Sequence, residues 1–484
     1  MRRLIENIDT LYTCDRQDRV LKSAWIVAEG STIAALGDGP PPAGDFDDRI
    51  DLSGSVALPG LVNTHHHFFQ TLTRALPRAQ RGQLLDWLAV LYPVWGLMEP
   101  DDLAAAASAS IGELLLTGAT TSVDHFYLVP RCDPAYIAAE IDAARNAGMR
   151  LHLVRGSMTT IEGDLEERLS AKLGPRAGGI IDDPATVLAS MRQTVETHHD
   201  PRRGSRLTVA LGPTIPTYSD LAFMRDIARI SADLNVGVHM HVHPQPHERL
   251  LCQQLFGKTP VEVLDSVGLL TPRTWFAHST RLDDQDIAVL ARNDVGVAHC
   301  PRMILRLGAR IPIIHRMRSG GMRVTVGVDG AASNDSGSML GEMRLALLLH
   351  RLAGGGGEVS SNEWMTPYEA LLMATRHAAS LIGRDDIGAI APGLCADITA
   401  FDMRGIGFAG ARSDLLSGLL LAGDDTRASL TMVDGKPLVR NGRLLHQDEY
   451  ALREAADDAA SRVVARAVNI TGIDYLDFGL EQNA

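Results

Sequence analysis

The segment Pro59-Gly60-Leu61-Val62-Asn63-Thr64-His65-His66-His67 carries a short apolar run straight into three consecutive histidines. Residues two apart on an extended chain point the same way, so His65 and His67 can present imidazoles to one point while His66 faces elsewhere. Working outward, seven more short apolar runs occupy residues 120–124, 150–156, 207–212, 237–242, 274–278, 295–299 and 323–329, each separated from the next by longer amphipathic stretches. With residues 56–63 as the first, the count is that of a TIM-type (β/α)8 barrel in the α/β class. The intervening helices carry end signals of their own: Asp133 caps, Pro134 suits the first helical position, and Gly148 follows as a stop.

In such a barrel, chemistry belongs at the C-terminal ends of the strands. The fifth run ends His239-Met240-His241-Val242-His243 and the sixth Trp275-Phe276-Ala277-His278. The eighth ends Val326-Gly327-Val328-Asp329-Gly330, which places a carboxylate after an apolar strand. Four strand ends therefore converge on side chains suited to a metal ion.

The 484 residues exceed what one hydrophobic core usually supports, so a second, smaller domain is expected. Strand-and-turn material occurs at both ends of the chain: Ser23 to Ala28 and Thr32 to Leu36 near the start, Ala396 to Phe401 and Ala428 to Val433 near the end, then Asp434-Gly435 as a hairpin turn. The expected layout is a small β-sandwich domain built from residues 1–57 and 389–449, a barrel over 58–388, and a C-terminal helix and tail over 450–484. Residues 159–184 form a long polar connection on the catalytic face that can act as a lid, and the glycines at 354–357 read as a flexible joint.

Composition narrows the function classes. Hydrophobic residues at 45% and charged residues at 22% describe a folded chain. The net charge of −13 argues against nonspecific attraction to nucleic acid or an anionic membrane. Five scattered cysteines without a CxxC pair indicate buried thiols in a reducing compartment. Acidic and polar residues interrupt the opening nonapeptide before an apolar leader core forms, and no run of about 18 apolar residues occurs, so a cytoplasmic location is expected.

The HxH within Pro-Gly-Leu-Val-Asn-Thr-His-His-His, the histidines after strands 5 and 6 and the Asp after strand 8 resemble the amidohydrolase superfamily over nearly the whole chain. The resemblance implies metal ligands His65, His67, His241 and Asp329, with His278 beside the attacking water. Binuclear members usually supply a bridging Lys or Glu from strand 4, which here ends Leu211-Gly212-Pro213-Thr214, so one divalent ion is implied. Imidazole and carboxylate ligands suit Zn²⁺, and Fe²⁺ binds the same set. Such an ion can lower the pKa of water from 15.7 to roughly 7. Asp329 can then accept the proton, while His278 orients the nucleophile and stabilises developing charge.

Within the superfamily, Thr64 to Pro77, Asp124-His125-Phe126-Tyr127, Arg155-Gly156-Ser157-Met158 and Asp329-Gly330-Ala331-Ala332-Ser333-Asn334-Asp335 are similar to the branch of 8-oxoguanine deaminase, pterin deaminases and s-triazine hydrolases. The implied activity is hydrolytic deamination of an amino-substituted N-heterocycle of oxopurine or pterin type. Expulsion of chloride or an alkylamine from a triazine is the alternative, and a metal-binding homologue without turnover is a third reading. Related purine and cytosine deaminases usually carry a Glu three residues after the strand-5 ligand, where this chain has Pro244. Glu248 and His243 are the candidate replacement proton donors.

Gln70, His125, Tyr127 and Arg155 follow or end strands 1 to 3, from where they can reach a substrate. Trp87, Tyr92 and Trp95 can sandwich a planar ring or pack into the core. Arg302 and Arg306 follow strand 7 and read either as substrate contacts or as a solvated basic loop. The partners implied are a small heterocyclic substrate and further copies of the chain, with no nucleic acid and no membrane.

Overall fold

A computed structural model of the chain describes residues 1–161, 165–174, 180–242, 246–352, 359–423 and 426–478. Eight parallel strands lie side by side in sequence order: Leu61–Asn63, Ala119–Phe126, Arg150–Gly156, Leu207–Gly212, Val238–Val242, Thr274–His278, Gly296–His299 and Arg323–Val326. The seam between the last strand and the first is stitched by Thr64 N–H donating to the Val326 carbonyl at 3.3 Å and Asp329 N–H donating to the His65 carbonyl at 3.0 Å. Gly327 permits this approach, because a Cβ there would lie 2.8 Å from the His65 Cβ.

The barrel interior follows the period-two rule. Val62, Val123, Val154, Ala210, Trp275 and Ala298 share one buried cluster, so their sequence neighbours point outward to the helices. The helix Pro134–Ala147 forms between the anticipated signals: the Asp133 side chain accepts from Ala135 N–H, and Gly148 ends it at φ +81°.

The first barrel strand differs from its sequence reading. The apolar run 56–63 is split at Gly60: Ser55–Pro59 pairs antiparallel with Ile398–Asp402 in the other sheet, and only Leu61–Asn63 enters the barrel. Gly60 sits where the chain crosses between sheets, and a Cβ there would lie 2.2 Å from the Thr120 hydroxyl.

The second sheet joins nine strands from both ends of the chain, eight in one path and Asp48–Asp51 paired beside Arg2–Tyr12, with its own apolar core around Ile5, Ile26, Ile398 and Met432. Asp434 and Gly435, both at positive φ, turn the hairpin between Leu430–Val433 and Lys436–Arg440. The long first strand Arg2–Tyr12 has no clean apolar alternation, because a bulge with Asn7 at φ +58° shifts its register. Residues 159–184, expected as polar loop, include the helix Leu165–Leu173, which buries Leu165, Leu169 and Leu173. The glycine run 354–357 lies outside the described residues. The C-terminal helix Glu449–Thr471 is capped by Asp448. Among the described residues no helix is long and apolar enough to cross a membrane.

Candidate metal centre

Past Asn63 the chain runs on from the first barrel strand, and His65 and His67 turn their rings into the mouth of the barrel. His66 faces away, its Nδ1 accepting the His67 N–H at 2.7 Å and its ring packed on Phe68. The rings of His65, His67 and His241 are each fixed in one tautomer by a partner that accepts. His67 Nδ1–H donates to the His125 carbonyl at 2.7 Å, and His241 Nδ1–H donates to the Thr214 carbonyl at 2.8 Å. His239 Nδ1–H donates to the Trp275 carbonyl at 2.9 Å, so its Nε2 is an acceptor and takes the His65 Nδ1–H at 2.8 Å.

The consequence is electrostatic. His65, His67 and His241 all present Nε2 lone pairs to one point. His67 Nε2 and His241 Nε2 stand 3.2 Å apart, and Asp329 Oδ1 lies 3.1 Å from His65 Nε2 and 3.4 Å from His67 Nε2. Lone pairs facing each other at these distances, with no proton between them, are repulsive unless a cation joins them. The ligand atoms of His65, His67 and His241, and those of His65, His278 and Asp329, each fall within 4.8 Å of one another. This donor set fits a divalent ion, and imidazole with carboxylate is the ligand chemistry of zinc.

Protonation states agree. Burial holds His65 and His241 well below the usual imidazole range, lowers His67, and pushes His278 down to about 4, so all four are neutral at pH 7. Burial opposes ionisation of Asp329, but the His65, His278 and His67 side chains packed around it outweigh this and keep the carboxyl well below the ordinary carboxylate range. Its Oδ2 accepts from the Ser333 hydroxyl at 2.7 Å, which leaves Oδ1 for the histidine cluster. Asp329 and His278 sit at φ +63° and +70°, a left-handed conformation that turns both side chains inward, Asp329 just past its strand and His278 at the last residue of its own.

A cavity opens over this cluster. Trp87, Tyr92, Tyr127 and Tyr218 give it aromatic walls, Leu84, Leu88 and Met303 line it further, and Gln70 and Ser333 reach it from beside Asp329. The Gln70 carboxamide lies against Gly330, whose missing Cβ would fall 2.0 Å from its Oε1. Gln70 Oε1 and Trp87 Nε1 are buried without a hydrogen-bond partner.

The other anticipated contacts lie elsewhere. Arg155 is not part of the cavity wall: it follows inward-facing Val154, so its guanidinium points outward to the Ser190 hydroxyl and Cys132 Sγ. His125 points into the barrel, 4.9 Å from the His241 ring, beneath the cavity, and it is the backbone carbonyl of His125 that serves the centre. Glu248 is fully buried in the first turn of the helix His247–Phe256 and does not line the cavity. His243 and Pro244 lie outside the described residues. Trp95 donates to the Thr73 hydroxyl and belongs to the core. Arg302 and Arg306 are engaged by Glu342 and Asp335. His239, Thr214 and Ser333 were not singled out from sequence, although the alternation His239-x-His241 put both rings on one face.

A parallel eight-stranded barrel with histidines after strands 1, 5 and 6 and an aspartate after strand 8 defines a metal-dependent hydrolase. The chain belongs to the Amidohydrolase family, whose profile matches residues 56–438. It is 37% identical over 466 residues to the 8-oxoguanine deaminase of Pseudomonas aeruginosa, covering 95% of this chain and 99% of that protein. It is 33% identical over 470 residues to the hydroxydechloroatrazine ethylaminohydrolase of a Pseudomonas species, covering 94% of each. Among solved structures, the zinc complex of an atrazine chlorohydrolase from Arthrobacter aurescens superposes with a TM-score of 0.86 at 31% identity, over 95% of this chain and all of that one.

Proposed function

We propose that this chain is a zinc-dependent aminohydrolase that removes the amino group of an oxopurine- or pterin-type ring as ammonia. His65, His67, His241 and Asp329 hold the ion, with His278 beside it. The observation that carries this reading is the set of converging Nε2 lone pairs on the floor of a cavity with aromatic walls. The ion, when bound, acidifies water and polarises the reacting carbon. Asp329 accepts the water's proton and is placed to return it to a ring nitrogen or the departing amine. His278 donates a hydrogen bond to the attacking oxygen and stabilises the charge that develops as it adds to the ring carbon. Trp87 and Tyr127 pack on the faces of the ring, and Gln70 hydrogen-bonds its edge.

Among the described residues no Lys or Arg lines the cavity, which favours an uncharged ring over a carboxylate-bearing pterin. The alternative of a triazine hydrolase expelling chloride or an alkylamine is favoured by the hydroxydechloroatrazine ethylaminohydrolase relative. The barrel at 58–388 carries the chemistry, the 1–57 and 389–449 segments form a supporting domain, and the enzyme works in the cytoplasm as a homo-oligomer. The test is a substrate panel of 8-oxoguanine, isoxanthopterin, pterin-6-carboxylate, guanine, cytosine and melamine, read by ammonia release. Ammonia from an oxopurine or oxopterin is expected. Chloride from a chlorotriazine without ammonia from the panel would promote the triazine reading, and no product at all would leave a metal-binding homologue.

A further inference from the structure

Two carboxyl groups outside the metal centre have no cation to explain them. Asp124 lies in the last part of the second barrel strand, two residues before its end at Phe126, and Glu140 lies midway along the helix Pro134–Ala147 among Ile137, Ile141 and Ala144, on the face that packs inward. Both are fully buried and lie within hydrogen-bonding reach of each other. No N–H or O–H group of the described residues donates to either Glu140 oxygen or to Asp124 Oδ2. Asp124 Oδ1 accepts the Phe68 N–H at 2.6 Å.

Two unscreened negative charges at this distance in a low-dielectric interior repel strongly, so one must carry a proton that bridges the pair. Asp124 already accepts from Phe68, which stabilises its ionised form, whereas nothing donates to Glu140. The proton therefore belongs to Glu140. The other ionisable groups facing the pair are His66, with Nδ1 3.9 Å from Asp124, and Tyr127. Neither carries charge there: His66 Nδ1 accepts the His67 N–H and so bears no proton, and burial keeps the Tyr127 phenol un-ionised.

The pair stands beside the metal-binding loop. The Phe68 N–H goes to Asp124, the His125 N–H donates to the His66 carbonyl at 2.8 Å, and His67 Nδ1–H donates to the His125 carbonyl. Three bonds from Asp124-His125 thus bracket His67 on both sides. We propose that Asp124 and Glu140 share a single proton, carried by Glu140, and that this pair positions His67 for metal binding by holding the Phe68 backbone. Both are positioning residues, since neither touches the ligand atoms.

The proposal rests on the metal-centre reading for one of its two readouts, and the test keeps them separate. In the full chain, Glu140→Gln replaces the shared O–H with an amide N–H. It is expected to leave zinc affinity unchanged and to remove a protonated-carboxyl C=O band from the infrared spectrum at neutral pH. Glu140→Leu leaves Asp124 without its donor, and zinc affinity is expected to fall roughly 10- to 100-fold with the fold retained by circular dichroism. A Glu140→Gln spectrum that loses only ionised-carboxylate bands overturns the proposal. So does a folded Glu140→Leu that binds zinc like wild type, or a Glu140→Gln that binds it weakly. If Glu140→Leu does not fold, the infrared comparison decides. A wild-type chain that takes up no zinc would defeat the metal-centre reading while leaving the shared proton testable.

Discussion

His65 Nδ1 and His239 Nε2 lie 2.8 Å apart in the barrel interior, and the His239 ring stacks on Trp275 at 4.6 Å and 9°. The chain Trp275 carbonyl, His239, His65 sets which nitrogen of His65 is free. His239→Ala is therefore expected to weaken zinc binding roughly 10- to 100-fold without touching a ligand. Competition with a chromophoric chelator measures it. Unchanged affinity would mean that the tautomer of His65 is set in another way.

Gly330 is tested through space, since its φ of −71° is open to any residue. A methyl at this position collides with the Gln70 carboxamide, so Gly330→Ala is expected to displace Gln70 and raise KM about five-fold, the worth of one hydrogen bond of about 1 kcal/mol. Zinc content should not change. Steady-state kinetics with metal analysis on the same sample checks both.

Glu248 offers the chemical equivalent of the glutamate missing at position 244, but its place in the first turn of the helix His247–Phe256 is off the cavity. Glu248→Gln is expected to keep kcat within about two-fold, whereas removal of a working proton donor costs roughly 10²- to 10⁴-fold. A large loss of kcat with the thermal midpoint unchanged would restore Glu248 as the donor.

Stability should depend on pH in a defined direction. Burial pushes His152, His239 and His299 down to about 3, against about 6.5 when unfolded. Between these values the unfolded chain binds protons that the native chain does not. Stability from these groups is thus complete above pH 6.5 and falls as pH drops towards 3. Urea denaturation of metal-free protein from pH 7 to 4 is expected to show a falling midpoint. His152→Gln should make that slope shallower.

The strand ends were legible in the sequence because a barrel strand is a short apolar run, and a polar residue closing it stands out. His65, His67, His241, His278 and Asp329 could be read for that reason, and the structure brings their side chains together. The turn from one sheet to the other at Gly60 was not legible, since the apolar run passes through it unbroken. Arg155 was misplaced because the face a strand residue takes depends on register. Only the inward packing of Val154 shows that its neighbour points out. His239 was visible by its spacing from His241, but its role depends on a carbonyl of Trp275 that sequence does not locate. Glu140 reads as an ordinary helix residue until Asp124 is seen beside it.

The central claim is that one ion joins four side chains drawn from strands 1, 5 and 8. Anomalous scattering from a crystal of the zinc-loaded protein, recorded on both sides of the zinc edge, tests it most directly. The expected result is one strong peak per chain bounded by His65 Nε2, His67 Nε2, His241 Nε2 and Asp329 Oδ1. A map with no peak there, or with its zinc bound elsewhere on the chain, would contradict the account.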